Sequence, residues 1–211
     1  MIAIKKILVL GPHADDGEFG CGGAIDRFLK EGKEVFYAVF SLSEKSLFEG
    51  LPKDTHEKEL HAAAASLEIP KDNLIVFRYP VRDFPEHRQD ILENMVMLQK
   101  KINPDLVLLP SSRDVHQDHL TVSQEGFRAF KKTNVLGYEL PWNNTAFPNQ
   151  VFVALEESSV AAKMKAVECY GSQKGKRSYA SGEYVKSLAI VRGASIDEKY
   201  AEAFEAMRVI L

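Results

Sequence analysis

The sequence predicts an α/β protein, a mostly parallel sheet between layers of helices in a Rossmann-like three-layer sandwich. Three observations carry that expectation. Short apolar runs such as Ile7–Leu10 and Leu106–Leu109 are continuous rather than alternating, which suits strands buried on both faces of a parallel sheet. Segments with helical spacing follow such runs in regular alternation, and that order implies right-handed crossovers. The chain has 211 residues, 45% of them hydrophobic and 27% charged, with no repeat, linker or low-complexity stretch. A single domain over 1–211 with a sizeable core is the simplest organisation.

Taken in order, Ile7, Leu8, Val9 and Leu10 make the first strand, which stops at Gly11-Pro12. Phe19–Glu31 reads as a helix closed by Gly32, with Gly20, Gly22 and Gly23 keeping its first turns slim for close packing on the sheet. These glycines are not a dinucleotide fingerprint: the spacing is not G-x-G-x-x-G, and three carboxylates would repel a pyrophosphate. Val35–Leu42 is the second strand. The loop after it, 41–52, contains Ser43, Glu44 and Lys45 and either lines a pocket or crosses the surface. A helix starts near Asp54, with Glu57 completing a capping box and Leu60, Ala63, Ala64 and Leu67 forming its core face. His56 and His61 on that helix read as surface or satisfied residues, not ligands.

Leu74–Tyr79 is a third strand, and Pro80–Pro85 a turn in which Asp83 is a minor candidate for substrate contact. The next helix runs to about Ile102, with Ile91, Met95, Leu98 and Ile102 on one face. After the strand Asp105–Pro110, a helix is expected from about Asp118 or His119 to Lys132, then strands at Val135–Leu140 and Val151–Leu155 and a helix at Glu157–Tyr170. Gly171–Gly182 reads as flexible and basic; Lys174, Lys176 and Arg177 there either meet an anionic substrate group or are solvated loop charges. The chain closes with a helix over Asp197–Ala206 and a short apolar tail.

Composition excludes several classes of function. The formal net charge of −3 argues against broad nucleic-acid or anionic-membrane binding. No run approaches the 18 or so apolar residues of a spanning helix, and Met1–Lys6 is too short an apolar stretch for a signal peptide, so a cytoplasmic protein is expected. Cys21 and Cys169 stand far apart and do not suggest a disulfide framework.

The chemistry concentrates where two strands end. Open α/β sheets bind ligands beyond the carboxyl ends of their strands. After the first strand stand His13, Asp15, Asp16 and Glu18; after Asp105–Pro110 comes the stretch Ser111–His119, with Asp114, His116, Asp118 and His119. The chain has only six histidines, and three of them fall in these two loops. Three acidic residues within four positions at a helix start repel one another, and a divalent cation removes that conflict. His-x-x-Asp through a turn brings both side chains to one point. A solvated acidic helix start, with Asp15 or Asp16 as N-cap, is the plainer alternative for the first loop alone.

The pair His13-Ala14-Asp15-Asp16 and His116-Gln117-Asp118-His119, each following a buried strand, resembles the LmbE-like (PIG-L) zinc-dependent N-deacetylases, whose signatures are HPDDE and HxDH. The resemblance extends to Tyr138-Glu139, to Lys165–Gln173 and to the late Ala201-Glu202-Ala203-Phe204. Ala14 replaces the usual proline. Gly17 stands where the family usually has glutamate, with Glu18 one place later.

The resemblance implies that His13, Asp16 and His119 hold a zinc ion, with Fe2+ as another occupant, and that Asp15 is the general base. It makes His116 the group that stabilises an oxyanion, with Asp118 orienting His116 and keeping it protonated. Two nitrogens and one carboxylate leave a coordination position for water, the arrangement of catalytic zinc. One local geometry cannot serve all of HQDH, so the chain should bend there. The implied reaction removes acetyl from an N-acetylated amino sugar or related glycoconjugate. Trp142, Asn143, Asn144 and Lys45 are candidates for substrate contact, and packing on the core competes for Trp142. Two other readings share the ligand set: a binding protein of the same fold without turnover, and a non-haem Fe(II) oxygenase, which would leave Asp15 without a duty. A homo-oligomer is compatible with the sequence.

Overall fold

In a computed structural model that describes residues 4–174 and 176–210, the predicted alternation forms one seven-stranded sheet. The order is β1 (Lys6–His13), α1 (Asp16–Lys30), β2 (Glu34–Ser41), α2 (Thr55–Ser66), β3 (Leu74–Val76), α3 (Arg88–Ile102), β4 (Leu106–Pro110), α4 (Gln117–Ala129), β5 (Asn134–Tyr138), β6 (Val151–Ala154), α5 (Glu157–Glu168), α6 (Gly182–Ala194) and β7 (Ala201–Arg208). Met1–Ala3, Gly175 in the expected flexible stretch and Leu211 in the expected tail lie outside the described residues.

The sheet runs β3-β2-β1-β4-β5-β7-β6. β1 to β5 are parallel, and β7 is antiparallel to both β5 and β6. The continuous apolar runs are explained by the two layers. Ile7 and Val9 of β1, with Leu106 and Leu108 of β4, face one core beneath α1, α2 and α5; Leu8, Leu10, Val107 and Leu109 face the other, beneath α3 and α4. Ile91, Met95, Leu98 and Ile102 all enter that second core, as their spacing predicts. β1 and β4 are neighbours, although β2 and β3 lie between them in sequence. The order therefore reverses between them, and the crevice that opens there places two strand ends side by side.

α1 is two helical pieces joined at Cys21, whose φ of −147° is not helical. Its glycines permit the close approach that the sequence suggested: a Cβ on Gly20 would stand 2.3 Å from the Tyr138 ring, and one on Gly17 would stand 2.7 Å from Tyr37. The break frees the amides of Gly23 and Ala24, and the Glu202 carboxylate accepts both, at 2.9 and 2.7 Å, while pairing with Lys163 at 2.6 Å.

Two expectations are corrected, and one element was missed. The segment read as a terminal helix is β7: alanine and glutamate favour helix locally, but Ala201, Ala203 and Phe204 are buried in the sheet and Glu202 is committed to α1. α6 was not read; Ser181 caps it by accepting from the Tyr184 amide. The capping box at Asp54 does not form, because Glu57 instead pairs with Arg78 at 2.6 Å.

Candidate active site

β1 carries His13 to its last position, and α1 begins at Asp16 three residues later. From the neighbouring strand, the segment after β4 bends at His116, which caps α4, and α4 starts at Gln117, close to the predicted bend. His119 thus projects from the first turn of a helix, and His13 from a strand end. His13 Nδ1, Asp16 Oδ2 and His119 Nε2 converge: the two nitrogens are 3.1 Å apart, and each is 3.2 Å from the carboxylate oxygen. In a tetrahedral site with bonds of about 2.0–2.1 Å, ligand atoms stand about 3.3–3.4 Å apart, so this triangle is close to the size that a small divalent ion needs. One ring nitrogen of His116 lies within 4.8 Å of the ring nitrogens of His13 and His119.

The outer nitrogens are committed as metal-ligand histidines require. His13 Nε2 lies 2.9 Å from Asp118 Oδ2, and His119 Nδ1 lies 2.7 Å from Asp114 Oδ2. A carboxylate behind each ring fixes the tautomer that leaves the inner nitrogen free for a cation. Asp118 also accepts from the amides of Arg82 and Phe84, at 2.6 and 3.2 Å, which anchors it to the loop after β3.

The protonation pattern of the protein alone tells the same story. Burial works against charge on His119, but Asp16 and Asp114 outweigh it and raise the ring to about 10. His13 is raised too, burial again being overcome by Asp118 and Asp16. Asp16 is held far below the usual carboxylate range despite its burial, chiefly by His119. Protons occupy the centre when nothing else does, and a cation would displace them. Asp15 is raised well above the usual range by burial and by the Asp16 charge.

The geometry corrects the expected partnership of Asp118 with His116. The Asp118 carboxylate faces His13, and His116 meets Asp118 only at its backbone, where His116 Nδ1 accepts from the amide at 3.2 Å. His116 is pushed down to about 4, first by burial and then by the neighbouring histidines. It is a neutral ring at pH 7, with the proton on Nε2.

The family pattern described as PIG-L: GlcNAc-PI de-N-acetylase matches residues 8–130, which span both loops and more than half of the chain. The protein belongs to the PIG-L family. An uncharacterized deacetylase of Escherichia coli K12, YaiS, is 29% identical over 80% of this chain and 91% of its own. The diacetylchitobiose deacetylase of Thermococcus kodakarensis is 25% identical over 94% and 82%. Among solved structures, the N,N'-diacetylchitobiose deacetylase of Pyrococcus horikoshii superposes with a TM-score of 0.80 at 21% identity, over 97% of this chain and 84% of that one.

Around the three converging side chains the PIG-L fold leaves a cavity of about 440 Å³, lined by Asp15, His116, Trp142, Asn143 and Tyr179 among others. Two of the four expected substrate contacts, Trp142 and Asn143, line it. Trp142 is stacked on Tyr179 at 3.7 Å and edge-on to Phe19 at 5.4 Å, so one face of the indole is already covered. Asn144 and Lys45 do not line it. Asn144 Oδ1 accepts from the Leu140 amide and holds the turn after β5; Lys45 pairs with Asp83 at 2.6 Å beside a neighbouring cleft. Sequence reasoning missed Asp114, His56, Gln173 and Tyr179 as contributors. Asp114 carried a signal as a carboxylate five residues before His119, and Gln173 as the end of the Lys165–Gln173 patch. No helix among the described residues is long and apolar enough to cross a membrane.

Proposed function

We propose that the chain is a single metal-dependent N-deacetylase domain that hydrolyses the acetamide of an N-acetylated amino sugar or glycoconjugate. The observation that carries this reading is the triangle of His13 Nδ1, Asp16 Oδ2 and His119 Nε2, with Asp15 beside it on a cavity of saccharide size. Membership of the PIG-L family and the deacetylase activity of its named relatives support it.

His13, Asp16 and His119 would hold a divalent ion, zinc or iron(II), with Asp118 and Asp114 fixing the two rings. Bound there, such an ion polarises a carbonyl and lowers the pKa of water from 15.7 to about 7. Asp15 adjoins a ligand without being needed as one, so it is free to take the proton of an attacking water and pass it to the departing amine. His116 would meet the carbonyl oxygen as charge develops on it, through Nε2–H of a neutral ring rather than as an imidazolium. The oxygen position then sits between a cationic site and a fixed donor.

The test is acetate release by zinc- and iron(II)-loaded protein from N-acetylglucosamine and N,N'-diacetylchitobiose, with Asp15→Asn as control. Release that depends on metal and on Asp15 is expected. Full metal occupancy without acetate release from a broad panel of acetylated sugars overturns the reading in favour of a binding protein; oxygen consumption with iron(II) would favour the oxygenase.

A further inference from the structure

Gly137 lies inside β5, where glycine weakens a strand and marks a close approach of other atoms. A Cβ there would stand 2.9 Å from the Ser111 Cα and 3.1 Å from Glu205 Oε2. The gap is a passage. β5 separates β7 from β4, yet Glu205 of β7, directly opposite Gly137 in register, crosses over it and reaches the first residues after β4. The Ser111 hydroxyl and the Ser112 amide donate to Glu205 Oε2 at 2.7 and 2.8 Å, and the Ser112 hydroxyl donates to Oε1 at 2.6 Å. Hydrogen bonds to an ionised carboxylate are roughly twice as strong as those between neutral groups, so three on one dipeptide hold it firmly.

That dipeptide opens the turn that carries the second half of the site. The Asp114 amide donates to the Ser111 carbonyl at 3.2 Å, and the Arg113 amide donates to the Ser111 hydroxyl oxygen at 3.1 Å, whose own proton is directed at Glu205. Asp114 then serves both histidines. Its Oδ1 accepts from the His116 amide at 2.9 Å, and its Oδ2 lies 2.7 Å from His119 Nδ1. Past the turn, the Val115 amide donates to the Asn143 carbonyl at 3.1 Å.

We infer that Glu205 is a positioning residue: reaching across Gly137, it fixes the Ser111–Asp114 turn and, through Asp114, the places of His119 and His116. The consequence for metal and turnover rests on the proposed function; the hold on the turn does not. Glutamine can keep the contact, with its carbonyl taking both bonds of Oε2 and its NH2 donating to the Ser112 hydroxyl. Aspartate is one methylene shorter and falls short of the serines.

The experiment compares wild type with Glu205→Ala, Glu205→Asp and Glu205→Gln, and with Leu98→Ala, which hollows the core beneath α3 far from this turn. Hydrogen exchange at the Ser112 and His116 amides of metal-free protein, and zinc affinity by chelator competition, need no turnover. Loss of an outer support lowers metal affinity by about tenfold or more, so Glu205→Ala and Glu205→Asp should show that loss with faster exchange at both amides, while Glu205→Gln stays within about threefold of wild type. Leu98→Ala should lose stability in urea and keep its zinc affinity within twofold. Where acetate is released, the loss in Glu205→Ala at saturating zinc should fall on kcat and leave KM alone. Zinc affinity of Glu205→Ala within twofold of wild type, an equal loss in Leu98→Ala, or a loss in Glu205→Gln as large as in Glu205→Ala overturns the inference. If Glu205→Ala loses zinc as expected but wild type hydrolyses no acetylated sugar, the deacetylase reading falls and the positioning role stands. If wild type releases acetate and Glu205→Ala does so equally well, the reverse holds.

Discussion

Replacing Asp118 by alanine tests whether this carboxylate serves the proposed metal ligand His13 or the proposed oxyanion donor His116. Its Oδ2 lies 2.9 Å from His13 Nε2, and the His116 ring has no contact with it beyond the backbone amide. Removing it frees His13 to rotate and to carry its proton on the wrong nitrogen. Loss of such an outer carboxylate lowers metal affinity about 10- to 100-fold, or about 1.4–2.7 kcal/mol. The metal-free fold suffers separately. The Phe84 amide is buried and loses its acceptor, at about 1–3 kcal/mol, whereas the amide of exposed Arg82 turns to water. Asp118→Asn should be milder, since its carbonyl can take the position facing His13 and Arg82 while only the 3.2 Å bond to Phe84 is lost. Chelator competition measures zinc affinity, and urea unfolding of metal-free protein measures stability. If Asp118→Ala binds zinc within twofold of wild type while kcat drops and the pH–rate profile shifts, the carboxylate acts on His116 and the geometric argument is wrong.

Further outcomes follow from the same contacts. Asp15→Asn should keep its metal and lose about 100- to 10,000-fold in kcat, checked by metal analysis alongside turnover. Because His119 titrates near 10 in the metal-free protein and His13 is raised as well, zinc binding at pH 7 must expel protons. Affinity should therefore fall as pH falls, by up to about tenfold per unit for each proton released, and calorimetry in buffers of different ionisation enthalpy counts them. The same raised pKa makes the stability that protonated His119 contributes to the metal-free fold fully present below about pH 6.5 and lost as pH rises through about 10. Glu202→Ala strands a buried Lys163 and two helix amides, a loss of about 3–5 kcal/mol in urea unfolding. Adding Lys163→Met should restore much of it. Gly17→Ala forces Tyr37 off the Gly17 amide and the Glu18 carboxylate, costing about 1–3 kcal/mol by thermal or urea unfolding, and a loss below 0.5 kcal/mol would refute the packing argument.

Much of the site was legible because its donors are local in sequence. His13 and Asp16 are three residues apart, and Asp114 and His119 five, each group anchored to a buried strand whose apolar run is plain to read. That the two loops share one crevice depends on strand order, which composition does not carry; the three histidines gave the hint. What could not be read is long-range. Whether Asp118 faces His13 or His116 depends on where the loop after β3 offers its amides. His56, read as a surface or satisfied residue, is buried under the loop after β2, whose Leu42 carbonyl meets its ring, and that loop's path is not written in the helix. β7 was misread because Ala-Glu-rich sequence has helical propensity, and only its place between β5 and β6 makes the extended form worthwhile.

That placement has a consequence for how the molecule is made. β7 is the final strand in the described chain, yet it is the only link between β6 and the rest of the sheet, and it delivers the carboxylate that closes the bend of the helix carrying Asp16. A growing polypeptide that has already released all the proposed ligand residues therefore still lacks the wedge that steadies them. Metal capture should lag behind synthesis of the ligands and coincide with insertion of the last strand, so chains cut short before Ala201 would leave the ribosome with every coordinating group and no settled site.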